Sequence, residues 1–372
     1  MKKVTVITLQ NVRNYGSVLQ AVATQHVFET LGCRVDFINY VRKDFASIYA
    51  RWQTWCNGMC FSKKLIYGII LYPSFIKQNY IFRTFLEKRL RAQRKKYCSE
   101  NDFKSYPIDS EIYCTGSDQT WNSNWNLGVL PPLFLSFVPD NVKKISYAAS
   151  IGKARLDEKE IETTRKYLKR YSAISVREAS AVDIITKQLG LPSATHVLDP
   201  TLQVDKAFWL SLLSDKQKNR TDKNEYVLLY QLNSNAQLDA YAKKFAKRKG
   251  LKLIRFCWRY DQMIKSGYSV VIPEVEEFVS LILNANCVLT DSFHATAFSC
   301  NLNVPMVCVY PNEFSSRLAS ILKLLDLENR QLKSYDDFSF VDNTEVDFTR
   351  VNEVLKRERQ VGWEFLKKAI EA

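Results

Sequence analysis

Near its start the chain reads VTVITLQNVRNYGSVLQAVATQHVFETLGCRVDFINY over residues 4–40, which predicts a strand, a loop, a helix and a second strand. Apolar residues alternate over 4–9, recur at helical spacing over 18–31 as far as Gly32, and alternate again over 34–40. A strand–helix–strand unit of this kind builds a parallel sheet through a right-handed crossover. The predicted fold class is therefore α/β.

The same rhythm of short apolar runs continues through both halves of the chain. In the first half, runs that end in small or polar residues predict strands at 112–115, 144–148 and 173–176. After a polar, lysine-rich stretch at 214–224, the second half predicts strands at 226–232, 251–256, 287–290 and 306–309 and helices at 236–249, 275–284 and 351–370. Ligands of open α/β sheets bind at the carboxyl ends of strands, so the side chains that follow these runs are candidates for a site.

Length and rhythm together predict two domains. The chain has 372 residues, and one domain typically takes roughly 100–200. We predict an N-terminal Rossmann-like domain over residues 1–203 and a C-terminal Rossmann-like domain, with a terminal helix, over 204–372. Residues 42–104 interrupt the α/β rhythm, are rich in aromatic side chains, and are interpreted as a helical insertion in the N-terminal domain.

The charge of the chain is strongly basic and unevenly distributed. The formal net charge is +14, and residues 42–104 alone hold 14 basic and 4 acidic residues. Such a balance implies an anionic partner, which could be nucleic acid, a membrane surface or a phosphorylated substrate. No RNA- or DNA-binding motif accompanies the basic segment, so nucleic acid is not predicted as a partner. The alternative of a nucleic-acid- or membrane-binding protein without catalysis is supported by the charge alone.

The basic segment itself has two interpretations. It is typical of a solvated helical face with an apolar underside, and it also suits peripheral contact with an anionic membrane face. Its most apolar run, 65–76, is about 12 residues long against about 20 needed to span a bilayer, so it could lie on a membrane but not cross it as a helix.

Cysteine usage and the N-terminal run indicate the compartment. The nine cysteines form no CxxC pair, and several lie in apolar runs where cysteine behaves as a small hydrophobe. The N-terminal apolar alternation over 4–9 is too short for a secretory signal. We therefore predict reduced thiols and a cytoplasmic protein. The basic segment suggests that this protein could attach peripherally to the inner face of the cell membrane.

Among the three histidines, His294 is the candidate for chemistry. It follows the predicted strand 287–290 and stands at the start of a helix predicted over 295–301, whose N-terminus favours an anion. A phosphate there would keep the imidazole protonated and make it a proton donor. A capping and packing role explains the residue equally well, and His26 and His196 are interpreted as structural.

Six segments, taken together and in this order, resemble motifs of the polysaccharide pyruvyl transferase family. They are NYGSVLQA (14–21), GSDQTWN (116–122), YAASIG (147–152), SVRE (175–178), DPT (199–201) and TDSFHA (290–295). The resemblance implies a GT-B-like fold of two Rossmann-like domains facing across a cleft. It also implies transfer of the enolpyruvyl group of phosphoenolpyruvate onto a sugar of a polysaccharide or polyprenyl-linked saccharide as a ketal, with release of phosphate. Phosphoenolpyruvate is then a co-substrate, and neither a cofactor nor a metal is predicted.

The resemblance also implies roles for residues at the matching positions. His294 is predicted as the catalytic acid, and Asp118 or Asp291 as the base. The predicted donor-binding residues are Arg177, Ser292, His294, Arg317, Asn14, Gly16 and Ser17. The predicted acceptor-binding residues are Tyr15, Asp118, Gln119, Trp121 and Asn122. Where relatives often have Arg-Leu-His, this chain has Ser-Phe-His over 292–294, and Arg317 is predicted to supply the missing charge.

Other interpretations stay open at this stage. Arg177 and Glu178 could form only a surface ion pair, Asp118 could merely cap a turn, and Trp121 could belong to the core. The alternative function is a GT-B-type glycosyltransferase that uses a nucleotide sugar in surface polysaccharide synthesis.

Overall fold

The computed structural model describes residues 1–311, 315–343 and 345–371. Within these residues the strands are β1 Lys3–Ile7, β2 Arg34–Tyr40, β3 Ala92–Tyr97, β4 Ile112–Thr115, β5 Lys143–Ser146, β6 Ser175–Val176, β7 Thr195–His196, β8 Tyr226–Tyr230, β9 Lys252–Cys257, β10 Tyr268–Val271, β11 Cys287–Thr290 and β12 Met306–Cys308. The α-helices are α1 Tyr15–Thr30, α2 Ile48–Trp55, α3 Phe61–Arg89, α4 Glu100–Ser105, α5 Glu158–Leu168, α6 Ala179–Asp183, α7 Pro200–Gln203, α8 Lys206–Ser211, α9 Asp215–Lys218, α10 Ala236–Arg248, α11 Val275–Leu283, α12 Phe293–Leu302, α13 Ser315–Leu324, α14 Ser339–Asp342 and α15 Phe348–Glu371. Short 3-10 turns lie at Lys43–Phe45, Pro131–Phe134, Tyr260–Ile264 and Glu328–Arg330, and one π-helical turn at Ile184–Gln188.

The chain forms two compact units, and the first contains a five-stranded parallel sheet. Unit 1 comprises Met1–Ala46, Leu86–Val204 and the chain from Leu355 onward. Its sheet has the strand order β3-β2-β1-β4-β5, and Val4 of the central strand pairs with Val35 on one side and Ile112 on the other. Because all five strands are parallel, the loops after β1, β4 and β5 leave the same edge of the sheet.

Unit 2 repeats this architecture. It comprises Ser47–Phe85 and Asp205–Val354, and its parallel sheet has the order β10-β9-β8-β11-β12. Leu289 of β11 pairs with Leu229 of β8, so the loops after these two strands also share one edge. Each unit therefore has the Rossmann-like arrangement predicted from the sequence, and the predicted α/β class is confirmed.

Two strands of the five-stranded sheets were not predicted, and both lie at the edges of these sheets. The sequence of β3, AQRKKY, is mostly exposed, and Tyr268 at the start of β10 is also exposed. An edge strand has one neighbour and keeps contact with water, so it does not need the apolar run from which buried strands are predicted.

The structure corrects the domain assignment of two segments. Residues 47–85, the helical part of the predicted insertion 42–104, belong to unit 2 rather than to the N-terminal domain. The rest of that insertion forms β3 and α4, and 86–104 belongs to unit 1. The terminal helix returns to unit 1 from Leu355, where Gln203 Nε2 donates to the backbone oxygen of Arg359 at 2.9 Å. Both segments are assigned by contacts with residues that are distant in the sequence. Local sequence patterns contain no information about such contacts.

In the described parts of the chain, no helix has the length and the apolar character needed to cross a membrane.

Candidate functional site

A buried polar network lies at the carboxyl edge of the sheet of unit 1. Ser17 at the start of α1 donates to Asp118 after β4, and Ser150 after β5 donates to Glu178 after β6. Ser117 Oγ donates to Asp199 Oδ2 at 2.9 Å. The five family-like segments of unit 1 therefore meet in one cluster, although they come from positions about 180 residues apart.

Arg177 is the central cation of this network. Its guanidinium lies 2.6 Å from Asp199 Oδ2, 3.3 Å from Glu178 Oε1 and 3.7 Å from Asp118 Oδ1, and its side chain is fully buried. Burial alone disfavours the charged guanidinium, but these carboxylates outweigh burial and raise the pKa of Arg177. The guanidinium expected to grip a donor anion is thus engaged with carboxylates of its own chain.

The same geometry gives the cluster a negative balance. Three carboxylates, those of Asp118, Glu178 and Asp199, surround one guanidinium. An anionic ligand would be repelled by this excess, whereas a neutral hydroxyl group would not. The cluster therefore suits an acceptor hydroxyl better than a phosphorylated donor.

Asp118 has a left-handed backbone conformation. Its φ is +74°, in the left-handed region, and Ala148 in the loop after neighbouring β5 has a φ of +53°. Residues other than glycine reach this region at a cost of about 1–2 kcal/mol, and such residues cluster at active sites. The carboxylate accepts from Ser17 and from the Gln119 backbone N at 2.8 Å. The alternative that Asp118 only caps a turn does not explain its contacts with Ser17 and Arg177.

Other predicted residues of the first loop shape the start of α1. Asn14 is the N-cap, and its Oδ1 accepts from the backbone N of Gly16 at 2.9 Å and of Ser17 at 3.4 Å. Tyr15 is fully buried. A tyrosine in the core cannot face a sugar ring, so the structure corrects this acceptor-binding assignment.

The predicted acceptor residues after β4 are also buried. Trp121 donates through its indole N to the backbone oxygen of Leu133 at 3.2 Å and stacks on Phe134, which places it in the core. Asn122 Nδ2 donates to Gln119 Oε1 at 2.7 Å, and both side chains are buried. The structure brings these two amides together beside Asp118, and it supports the core interpretation for Trp121.

Gly152 ends the segment YAASIG and lies against these amides. Its φ is +63°, and a Cβ there would lie 2.4 Å from Asn122 Nδ2 and 3.1 Å from Gln119 Oε1. Gly190 has a similar φ of +62° with nothing within 4 Å of the same position. Substitution of Gly190 therefore introduces backbone strain alone, whereas substitution of Gly152 introduces backbone strain and steric overlap with the amides.

We expect Gly152→Ala to destabilise the protein more than Gly190→Ala does. Both variants incur about 1–2 kcal/mol for the left-handed backbone, and Gly152→Ala incurs a further penalty of about 1–3 kcal/mol for displacing the amides. Urea denaturation of the two variants measures the difference. Equal losses of unfolding free energy would show that the amides move at no cost.

In unit 2, Asp291 joins the loops after β8 and β11. Its carboxylate accepts from the backbone N of Leu232 at 2.7 Å, the backbone N of Asn233 at 2.9 Å and Asn233 Nδ2 at 2.9 Å. Burial raises the pKa of Asp291, and these hydrogen bonds oppose the shift. Both carboxylate oxygens are engaged in holding two loops together, so the geometry favours Asp118 over Asp291 as the candidate base.

His294 lies in the first turn of α12, next to the carboxyl edge of the second sheet. Ser292 is the N-cap of this ten-residue helix, and its Oγ accepts from the Ala295 backbone N at 3.4 Å. The imidazole is 7% exposed and packs edge-to-face on Phe293. Partial positive charge at a helix N-terminus favours an anion, and Arg317 lies on α13, which packs against α12.

Several residues of the network were not predicted as site residues. Asp199 was part of a quoted motif without a role, although an acidic residue directly after an apolar run is a usable signal. Ser117, Ser150 and Glu178 belong to the same category. In the loop before α1, Arg13 is half-buried and donates to the backbone oxygen of Asn11, and burial lowers its pKa to about 10.

Comparison with known proteins adds a family and a fold. A family model described as polysaccharide pyruvyl transferase matches residues 14–313. No curated protein sequence matches the chain. Among solved structures, AviGT4, a glycosyltransferase involved in avilamycin A biosynthesis, has a TM-score of 0.51 at 12% identity, with 99% of this chain and 97% of that chain covered.

Two further structures have lower scores. A UDP-glucosyltransferase from Polygonum tinctorium has a TM-score of 0.48 at 9% identity, with 100% of this chain and 99% of that chain covered. A UDP-N-acetylglucosamine 2-epimerase from Rickettsia bellii has a TM-score of 0.45 at 10% identity, with coverages of 99% and 98%. At such identities the likeness concerns the fold alone, and with AviGT4 it confirms the GT-B-like class.

Proposed function

Since the chain belongs to the polysaccharide pyruvyl transferase family, and is thus a transferase, we propose that it moves the enolpyruvyl group of phosphoenolpyruvate onto a saccharide as a ketal. The observation that carries the proposal is the family match over residues 14–313, which includes the buried network and the helix start at His294. The acceptor would be a sugar of a polysaccharide or of a lipid-linked saccharide.

The reaction needs one acid and one base. A sugar hydroxyl attacks C2 of the enol ester while the methylene carbon C3 takes up a proton. The C2–O bond to phosphate then breaks, and a second hydroxyl of the same sugar attacks C2 to close the ketal. Of the two hydroxyl protons, one ends on the new methyl group and the other on phosphate, so the reaction balances without a redox partner.

Electrostatics favours different roles for the buried network around Arg177 and for the N-terminus of α12. Phosphoenolpyruvate is a multiply charged anion, and the N-terminus of α12, with Ser292 and His294, offers positive potential to such a ligand. We assign His294 as the acid that protonates C3, with Ser292 and Arg317 as donor-binding residues. Asp118 is assigned as the base that accepts a hydroxyl proton.

The remaining residues act through Asp118 or shape the loop that holds it. Arg177 is proposed as a positioning residue, because its guanidinium contacts Asp118 from within the protein. Ser17 donates to the same carboxylate, and Asn14 and Gly16 form the helix start that presents Ser17. The nearby amides of Gln119 and Asn122 would bond acceptor hydroxyls after a small rearrangement.

An activity assay with two alternative donors, each supplied separately, tests the proposal. We expect inorganic phosphate to be released from phosphoenolpyruvate only when a saccharide acceptor is present, with a mass gain of 70 Da on the acceptor, the mass of a pyruvate ketal after loss of water. The control replaces phosphoenolpyruvate by a nucleotide sugar. Glycosyl transfer from the nucleotide sugar, with no use of phosphoenolpyruvate, would contradict the proposal and support the glycosyltransferase alternative.

The proposed function includes a cellular compartment and a membrane contact. All nine cysteines are free thiols, which supports a reducing compartment, and we propose a cytoplasmic enzyme that uses phosphoenolpyruvate without a further cofactor. A lipid-linked acceptor would bring the enzyme to the inner membrane face, so peripheral contact with that face is part of the proposal.

A further inference from the structure

Helix α3 is anchored to unit 2 by its inner face. Lys77 Nζ donates to the backbone oxygen of Val271 at 2.8 Å, and Ser74 Oγ accepts from the backbone N of Tyr260 at 3.0 Å. Phe75 is buried on the same side. The inner face is thus satisfied within the protein and needs no partner.

The opposite face of α3 is apolar and exposed. Large side chains follow one another at spacings of three and four residues, and they form what we call the outer stripe: Phe61, Leu65, Ile69, Tyr72, Ile76 and Tyr80. Phe61 is 82% exposed, Ile69 71% and Tyr80 67%. Monomeric soluble proteins rarely leave so continuous an apolar surface open, and such surfaces mark interaction sites.

The segment that carries the outer stripe has only positive charge. Residues 47–85, which contain α2 and most of α3, hold no aspartate or glutamate and five basic residues. These are Arg51, Lys63, Lys64, Lys77 and Arg83. Lys63 and Lys64 lie in the first turn of α3, between Phe61 and Leu65 in the sequence, and Lys63 is exposed.

We propose that the outer stripe docks on the surface of an anionic lipid bilayer, with α3 lying in the plane of the interface. Apolar side chains would enter the boundary between headgroups and acyl chains, while lysines and arginines at its margins contact anionic headgroups. The proposal rests on exposure and charge alone and holds whether or not the transfer reaction is the one proposed above.

The outer stripe and its basic residues match an anionic lipid surface better than a second copy of the chain or a nucleic acid. In a two-fold dimer through the outer stripe, each positive segment would lie against its own copy, and like charges would repel. Interfaces with nucleic acid are polar, and a stripe of aliphatic and aromatic side chains does not match them. An anionic bilayer satisfies both the apolar and the basic component.

Vesicle co-sedimentation with the full-length protein tests the proposal. We expect binding to vesicles of phosphatidylglycerol and phosphatidylcholine in equal amounts, and little binding to phosphatidylcholine alone. The double variant Leu65→Gln, Ile69→Gln should bind the anionic vesicles more than about tenfold more weakly. The double variant Lys63→Gln, Lys64→Gln should bind about 30-fold more weakly at low salt, and high salt should reduce this difference.

Ile264→Gln is the matched control, because Ile264 is 93% exposed and lies outside α3. It should bind vesicles like the wild type. Circular dichroism and urea denaturation check that every variant is folded, and the replaced side chains are surface residues, so no loss of stability is expected.

Three results would overturn the proposal. The first is vesicle binding that is absent in the wild type or unchanged in both double variants. The second is a wild-type dimer, seen by light scattering, that the Leu65→Gln, Ile69→Gln variant converts to a monomer, since the stripe would then bind a second copy. The third is an oligonucleotide that binds the segment and displaces the vesicles.

Discussion

Replacing His294 by alanine is expected to lower turnover with phosphoenolpyruvate by about a hundred- to ten-thousandfold while the protein stays folded. The imidazole is the candidate proton donor, and it lies at a helix N-terminus that can hold the donor phosphate close to it. Alanine keeps the helix but cannot donate a proton. The measurement is the initial rate of phosphate release at saturating donor and acceptor.

Two companion variants make this result interpretable. His294→Gln keeps a hydrogen-bonding side chain of similar size but carries no transferable proton, so it should be nearly as inactive as alanine. His26→Ala removes an exposed histidine from α1 and should leave turnover unchanged. Wild-type turnover in either His294 variant would remove this residue from the chemistry.

The second large effect is on stability, and it concerns Arg177. Truncating this fully buried side chain to alanine should cost about 3–5 kcal/mol of unfolding free energy, because three carboxylates are left without their counter-ion. The donor-binding role that the sequence predicts for Arg177 would mainly weaken donor binding in this variant. The contacts with Asp118, Glu178 and Asp199 make loss of stability the larger expected result.

The pH dependence of this loss has a definite sign. In the wild type, the raised pKa of Arg177 keeps the guanidinium charged through the working range. In the variant, three buried carboxylate charges face one another without that cation, and their repulsion destabilises the folded protein wherever they are ionised. Urea denaturation should therefore show a wide gap between the two proteins at neutral pH and a narrower one in acid.

An exposed ion pair provides the control for Arg177. Arg350 is 62% exposed and pairs with Asp326, which is 57% exposed, so Arg350→Ala should change the unfolding free energy by less than about 1 kcal/mol. A positioning role for Arg177 also predicts that Arg177→Lys, if folded, lowers kcat more than it raises KM for the donor. A stable Arg177→Ala protein with a raised KM and an unchanged kcat would contradict this role and restore Arg177 as a donor-binding residue.

Parts of the candidate site could be predicted from local patterns. His294 and Asp118 stand directly after apolar runs, and the carboxyl ends of parallel strands are where side chains of an α/β sheet meet ligands. Trp121 follows the same rule and is buried as His294 and Asp118 are, but its indole stacks on Phe134 and donates to a backbone oxygen, as a core residue does. Position after a strand identifies candidates, but it does not tell whether a side chain points toward a ligand or into the core.

The sequence by itself determined the parallel α/β architecture, because strand and helix periodicity and the βαβ order are properties of neighbouring residues. Only the tertiary structure decided what surrounds Arg177, since Asp118 and Asp199 come from segments 59 and 22 residues away. Tertiary packing likewise assigned residues 47–85 to unit 2 and left the outer stripe exposed, although its side chains are aliphatic or aromatic. The physical reason is the same in each case: burial and charge pairing depend on distances in space, which a linear pattern does not contain.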